Sequence, residues 1–525
     1  MYKILQADKD CYIQNKWVYS TRSIDANTGL ASSLDFYYLY DETTILGLTG
    51  SALSQSLKEQ TRSLIHFDLS PLRALTGSYL NITNSSFKTY LSLKNVYGGQ
   101  TTPTDFSIVI NPLAKDFDEG IGFDVVGYRD IDSANWVTAS RIGINVVTWS
   151  AQGANSSGSV GNSNIDYYTN YVTSALFPRG DEDMYVDITP IVSATLAGEL
   201  PDYGLRLAFT SSIEEGTETY FVKRFGSRHL RKDILRPTLV CLFDNSVFDN
   251  QLDVKFNRNN SVGIYNRLFD QQTNFLSASQ EITGSNSLLL ELVSSRFVTY
   301  PTTSFSWTHS ASITYNTRSL IYYSQSFSGS QLLIGGIPQV GQYTASVNLD
   351  YYSPGLVAFH SNSLTEIYFE AYWKSLDKTV CYATGSELLF KLQNGSVRNG
   401  GENNYILTIL NFKQEYEYQQ VPRFRVFIDD YSTVINKYSK TTDPRKSSIY
   451  EKLHYRVVDA YTRDVIVPFT TESNATRLSS DGEGMYFDIS MSELVVNKVY
   501  EFEFMLFDRN NTVYFKNLGY RFKVV

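Results

Sequence analysis

The sequence predicts an all-β chain made of several domains, and three observations carry that prediction. Tyr and Phe, which suit the pleated and half-buried surface of a strand, number 39 and 31. Short runs alternate apolar and polar residues with a period of two, while the 3.6-residue period of an amphipathic helix is rare. Clusters of Gly, Asn, Asp and Ser follow many of those runs, as in DRNNT at 508–512 and QNGS at 393–396. A chain of 525 residues has room for about three domains of roughly 100–200 residues each.

Taken in chain order, SALSQSLKEQ at 51–60 reads as a turn or two of helix. TRSLIHFDLS at 61–70 reads as a strand with Ile65, Phe67 and Leu69 facing a core, and His66 and Asp68 sharing the opposite face. A His–Asp pair invites a catalytic or metal reading, but no third partner stands nearby. The expected role of Asp68 is to bond amides of the turn at Ser70 and Pro71. SPLRALTG at 70–77 then has the grammar of a short helix, with Ser70 as N-cap, Pro71 at the first helical position and Gly77 as a stop. AQGANSSGSVGNSN at 151–164 reads as a long mobile loop. TPIVSATLAG at 189–198 repeats the helix grammar with Thr189, Pro190 and Gly198.

Further along, SFSWTHSASITY at 304–315 and FRVFI at 424–428 alternate as strands. VYEFEFMLF at 499–507 alternates most clearly, placing Tyr500, Phe502, Phe504 and Leu506 in a core and Glu501 and Glu503 in water. The final strand, GYRFKVV at 519–525, puts Tyr520, Phe522 and Val524 on one face, and closure of its own sheet is its expected role. The first domain's buried set is expected to include Ile65, Phe67, Leu69, Val186, Ile188, Leu205, Leu207, Leu239 and Cys241.

Composition narrows the function. A net charge of −9 and a pI near 5.3 argue against duplex nucleic acid as a partner, because that needs a basic footprint. Cys11, Cys241 and Cys381 form no CxxC and no spacing with the five histidines, so neither a disulfide framework nor a zinc site is expected. MYKILQADKD lacks the apolar run of a signal peptide, and no 18-residue apolar stretch occurs, so synthesis in a cytoplasm without membrane insertion is expected. Ser–His–Asp, P-loop, HExxH and GxGxxG patterns with supporting context are missing, so no catalytic residue, no cofactor and no enzyme activity is expected.

Three residue sets remain as candidates. Asp116, Asp118 and Glu119 in KDFDEG, and Asp181, Glu182 and Asp183 in GDEDMYVD, offer the clustered oxygens that calcium prefers, although neither run has the spacing of a calcium loop, and solvated turns are the expected reading. Trp136, Trp149, Tyr167 and Tyr168 flank the loop at 151–164 and would form a stacking platform for a sugar if exposed. Lys223, Arg224, Arg228, Arg231, Lys232 and Arg236 make the densest basic run. Its expected use is pairing with the acidic body or with a neighbouring subunit.

The first ~245 residues resemble the DNRLRE-type β-sandwich domain, a jelly-roll relative of carbohydrate-binding modules. The resemblance rests on ADKDCYI, DANTG with SLDF, SLIHFDLSPL, TWSAQGANSSG, MYVDITPIVSATLAG, DYGLRLAF and FGSRHLRKDILRPTLVCLF, in that order. The remainder is similar to stacked β domains of tailed-bacteriophage virion proteins, with YRVVDAYTRDVIVPF at 455–469 like part of an immunoglobulin-like module. Composition marks breaks at DNSVFDNQ, 244–251, after the apolar TLVCLF, and at the Gly- and Asn-rich QNGSVRNGGENN, 393–404. With the resemblance, the expected domains are a jelly-roll-like β-sandwich at 1–245, a second β-sandwich domain at 246–400 and an immunoglobulin-like β domain at 401–525. The resemblance implies a non-enzymatic tail, collar, baseplate, fibre or head-decoration protein of a virion, whose partners are other virion proteins and copies of itself. The alternative it raises is an adhesin that binds a host surface glycan through its first domain. A depolymerase built on paired carboxylates stands behind both.

Overall fold

Alternation at 106–112 shows how the chain builds its sheets. Phe106, Ile108 and Ile110 are buried, while Ser107 and Val109 between them are only half-buried. Repeated along the chain, this pattern gives an all-β protein with 47% strand, 7% helix and a sandwich-like arrangement in more than one domain. The computed structural model describes residues 1–18, 21–40, 58–97, 102–123, 130–217, 220–305, 312–360, 366–392, 405–430, 447–508 and 511–525. Two compact units divide the chain: Tyr2–Phe243, and Asp244–Val525 together with Met1. The expected segments 246–400 and 401–525 both fall in the second unit, and the expected break at 393–404 lies outside the described residues. So do 51–57 of the expected helix at 51–60, whose last three residues open a strand, and 306–311 of the run at 304–315.

The first unit has two main sheets. The larger has the order Thr173–Phe177, Phe106–Pro112, Leu205–Phe209, Lys58–His66, Ser33–Tyr40, Tyr220–Gly226, with Lys9–Gln14 also paired to Lys58–His66. The smaller runs Tyr2–Gln6, Thr238–Leu242, Lys88–Leu93, Met184–Asp187. Ile65, Phe67, Leu69, Ile188, Leu205, Leu207, Leu239 and Cys241 are buried as expected. Val186 is only half-buried, because its strand is the edge of the smaller sheet and has a neighbour on one side alone.

Two helices in this unit start from one shared device. Asp68 accepts the Ser70 amide at 2.9 Å and the Ser70 hydroxyl at 2.8 Å, and Asp187 accepts the Thr189 amide at 2.8 Å. A proline follows each, so the motif is Asp-x-Ser/Thr-Pro. The helices are Ser70–Arg73 and Thr189–Ala197, and their N-cap residues are Leu69 and Ile188 rather than Ser70 and Thr189. Each aspartate takes over the capping, freeing the buried Leu69 and Ile188 to pack inward. Gly198, at φ 83°, ends the second helix, whereas the first stops at Arg73, short of Gly77.

The second unit opens with a seven-stranded sheet. Its order is Asn260–Tyr265, Ile337–Val347, Ser312–Ile334, Leu288–Phe305, Glu366–Lys374, Cys381–Thr384, with Leu388–Lys391 also on Glu366–Lys374. Leu288, Leu290, Tyr343, Phe369, Trp373 and Phe390 belong to its core. Two further sheets face each other across aromatic rings: Phe502 stacks on Phe522 at 4.7 Å and meets Phe424 at 4.9 Å and Phe487 at 5.3 Å between ring centres. The last strand, Arg521–Val524, lies between Val499–Asp508 and Glu415–Tyr416, so it closes its own sheet with Phe522 and Val524 buried.

Glu501 and Glu503 depart from expectation. They are 1% and 0% exposed instead of facing water. Arg463 bonds Glu501 at 2.8 Å and also reaches Glu503, Arg456 donates to Glu503 at 2.6 Å, and Arg521 lies 3.5 Å from Glu501. The apolar stems of these arginines cover the carboxylates that their head groups neutralise.

Candidate functional site

The two acidic loops hold cations that the chain itself supplies. Lys223 leaves the strand Tyr220–Gly226 and runs inward between Phe177 and Phe225, at 4.9 and 5.0 Å from their ring centres. Its ammonium donates to the carbonyls of Gly180 at 2.9 Å and Glu182 at 2.7 Å and to the Asn95 side chain at 2.8 Å. Burial pulls its pKa down to about 8 against the opposing pull of Glu182, Asp181 and Asp183. Asp183 receives the Lys94 ammonium at 3.0 Å and the Asn95 amide at 2.7 Å, and Glu182 receives the Arg179 amide at 2.8 Å. Asp181 is exposed. A carbonyl-lined cradle that an ion would seek is thus filled by Lys223.

At 116–119 the carboxylates diverge. Asp116 takes the Lys9 ammonium at 3.3 Å, Asp118 takes the Arg141 amide at 2.6 Å, and Glu119 turns toward Arg228. No common ligand point joins the three. Among the described residues, Asp10, Glu119 and His229 are the group whose ligand atoms all lie within 4.8 Å of one another. Arg228 grips both Glu119 oxygens at 2.5 Å, while the Asp10 amide and the His229 ring approach one of them at 3.0 and 3.2 Å. Three of those contacts crowd Oε1 and Arg228 also holds Oε2, so a metal at this carboxylate would have to compete with a guanidinium already in place. Asp10 accepts the Arg228 amide at 2.6 Å and its other oxygen is buried without a partner; burial pushes its pKa up to about 7. The group works as an ion-pair knot. Asn27 of DANTG braces it, donating to the carbonyls of Glu119 and Ala134 and accepting the amides of Gly29 and Gly122. A Cβ at Gly29 would stand 2.1 Å from the Glu119 carbonyl, which explains the glycine.

His66 pairs with neither Asp68 nor a nucleophile. Its ring lies between Asp8 at 2.6 Å and Asp202 at 3.6 Å. Burial alone would lower its pKa, but hydrogen bonds to the two aspartates outweigh that and raise it to about 9. The opening pair is fold chemistry: a charged lock at His66 and a helix cap at Asp68.

The aromatic set is also spent internally. Trp136 and Trp149 are 6% and 5% exposed, so neither offers a free face. Arg62 covers Trp136 at 5.0 Å, the Trp149 indole donates to the Asn135 carbonyl at 2.9 Å, and Arg206 covers Tyr167 at 4.2 Å. Tyr168 is half-buried. The loop at 151–164, expected to be mobile, is pinned: the buried Asp166 accepts the amides of Ser150, Ala151 and Ser156. The basic run pairs inside its own unit as well, through Lys223, Arg224 with Asp35, Arg228 with Glu119, and Arg236 with Asp233, leaving Arg231 and Lys232 exposed.

One region leaves backbone groups unmatched. Leu288–Phe305 and Ser312–Ile334 pair with each other from Leu288 opposite Gly329 to Phe305 opposite Ser312. Their outer neighbours stop early: Glu366–Lys374 pairs only along Leu289–Val293, and Ile337–Val347 only along Gly329–Ile334. Residues 294–305 and 312–323 therefore form a ribbon two strands wide, about 40 Å long at ~3.4 Å per residue. Among the described residues no other strand pairs with its outer edges. At its base Ile321, Tyr323 and Phe327 pack on the unit's core, while Leu320 and Tyr322 on the opposite face are 57% and 64% exposed. The terminal strand closes its own sheet as expected, and the open edges lie here instead. A sequence signal accompanies it: residues 292–349 contain no Asp or Glu, and their only Lys or Arg residues are Arg296 and Arg318.

No family model matches the chain, and no curated protein matches it. Among solved structures, elastase-activated α2-macroglobulin of Escherichia coli aligns at 7% identity over 100% of this chain and 44% of its own, with a TM-score of 0.15. A Salmonella α2-macroglobulin variant aligns at 8% identity over 98% of this chain and 33% of its own, with a TM-score of 0.14. The chain spans less than half the length of these structures, and superpositions this poor carry no argument about its fold or role.

Proposed function

We propose that this chain is a non-enzymatic structural component of a bacteriophage virion, a tail, collar, baseplate or head-decoration protein, that acts through protein–protein assembly. The observation that carries the assembly reading is the ribbon. A two-stranded hairpin is at best marginally stable on its own in water, and open strand edges are templates for pairing with another chain. A partner that adds a strand would satisfy those edges, which is a common mode of recognition. The virion setting comes from the resemblance of the sequence to phage structural proteins. It fits a chain whose acidic loops, basic run and aromatic set are engaged internally. Synthesis in the host cytoplasm and incorporation into the particle follow from the same reading. The glycan-binding alternative loses its stacking platform, because Trp136 and Trp149 are buried. Mass spectrometry of purified particles tests the proposal: the chain is expected in stoichiometric amounts, and its absence from particles despite abundance in infected cells overturns it.

A further inference from the structure

We infer that the ribbon is a self-association element: the outer edge of Ser312–Tyr322 pairs, antiparallel and about a two-fold axis, with the same edge of a second copy. The inference rests on the assembly reading and names its partner.

Three observations select that edge and that occupant. The first is proline. Pro301 stands opposite Asn316 in the other strand of the ribbon, and a residue without an N–H blunts the edge to which it belongs. Ser312–Ile334 contains no proline, so its edge keeps a full set of donors. The second is charge. Two copies of a chain with net charge −9 repel one another, and like charges placed opposite each other across strands are destabilising. Residues 292–349 contain no acidic residue, so two ribbons can lie side by side without setting one carboxylate against another. The third is symmetry and extent. Antiparallel pairing of one strand with its copy closes after two chains, as most soluble oligomers do. Eleven residues from Ser312 to Tyr322 would make about ten backbone hydrogen bonds at roughly one per residue, the number a typical protein interface carries. With the two-fold at Thr317, this pairing sets position 320 opposite 314 and position 322 opposite 312 of the second copy, so Leu320 and Tyr322, already exposed on one face of the ribbon, lie at the two ends of the seam.

Sedimentation velocity on the purified full-length chain over a concentration series tests this. The natural chain is expected to form dimers. In L320K/Y322K, lysines replace the apolar side chains at both ends of the seam, and dimerisation is expected to weaken roughly tenfold or more. In a second variant residues 297–319 are replaced by an Asn-Gly turn, and a monomer is expected with the remaining β signal in circular dichroism retained. A natural chain that stays monomeric at its highest soluble concentration overturns the inference, and so does a dimer that survives excision. A dimer lost on excision but untouched by L320K/Y322K overturns the assignment to the Ser312–Tyr322 edge. None of these outcomes bears on whether the chain is present in particles, which mass spectrometry decides separately.

Discussion

The loop at 180–183 and the ribbon of 294–305 with 312–323 are opposite solutions to one problem, the backbone polar group that needs a partner. In the loop, two carbonyls and an amide side chain converge, and a lysine from a distant strand fills the space between them. In the ribbon, two strands outrun their neighbours and leave both outer edges unpaired among the described residues. Buried polar groups without partners are costly, so the matched loop is a stability element with nothing left to offer a ligand. Unpaired groups in water cost little, so the ribbon can hold its bonding capacity in reserve. Function is better sought where matching stops than where charged residues cluster.

The contrast predicts a gradient of mutational effects. Lys223→Met removes the donor that three acceptors share, the Gly180 carbonyl buried and the Asn95 side chain and Glu182 carbonyl half-buried. It is expected to destabilise the first unit by about 3–5 kcal/mol in chemical denaturation followed through Trp136 and Trp149 fluorescence. A loss below ~1 kcal/mol would show that the cradle does not depend on its lysine. Glu503→Gln disrupts a carboxylate held by Arg456 and Arg463, but both arginines can turn to water, so about 2–3 kcal/mol is expected from the second unit in denaturation followed through its own buried Trp373.

Protonation separates the two units further. His66 in the first unit has its pKa raised to about 9, so its stabilisation is fully present below the unfolded value of ~6.5 and is lost as pH rises through 9. His454 in the second unit is pushed down to about 4 by burial and by Arg477, so its contribution is present above ~6.5 and is lost as pH falls through 4. Thermal unfolding at stepped pH should show His66→Gln flattening the alkaline limb and His454→Leu the acid limb. Each change is expected at about 1–2 kcal/mol once solvent access to the pairs is discounted. If both variants change the same limb, the opposition between the units is wrong. Smallest of all, L320K/Y322K should leave the stability of the monomer in thermal unfolding almost unchanged, within about 0.5 kcal/mol, because those side chains lie on the surface. A large drop would mean that the ribbon is part of the core.

Local chemistry was legible in the sequence wherever a few neighbouring residues settled the matter. Asp68 capping the turn at Ser70, the inward row of Ile65, Phe67 and Leu69, and the stop at Gly198 all depend on contacts within a few positions. Glu501 and Glu503 misled because alternation reports polarity, and polarity equals exposure only if no partner arrives. Arg463 arrives from 38 residues away, beyond the reach of any pattern on one strand. Trp136 and Trp149 misled in the same way, since a ring beside a polar loop gives no hint of the arginine or carbonyl that will cover it. The acidic loops were read as solvated turns, and the missing element was Lys223, counted instead within a basic run. The ribbon was visible only in part. The sequence at 304–315 alternates like any other strand pattern, and nothing local reveals that the neighbours of Leu288–Phe305 and Ser312–Ile334 end first.

One pairing in the first unit has a mechanical consequence. Tyr2 lies directly opposite Leu242 and Gln6 opposite Thr238, so the chain enters and leaves this unit through adjacent residues of two antiparallel strands. Tension applied through the flanking segments would peel that ladder open one rung at a time from the Tyr2 end, rather than loading all of its hydrogen bonds together in shear. In a force-extension experiment gripping residues 1 and 244, the unit should give way at a lower force than when the same device pulls between residues 6 and 242. If this protein sits in a machine that is stretched or contracted, its first unit is a weak link along that axis, and it would yield before the lysine-filled loop is disturbed.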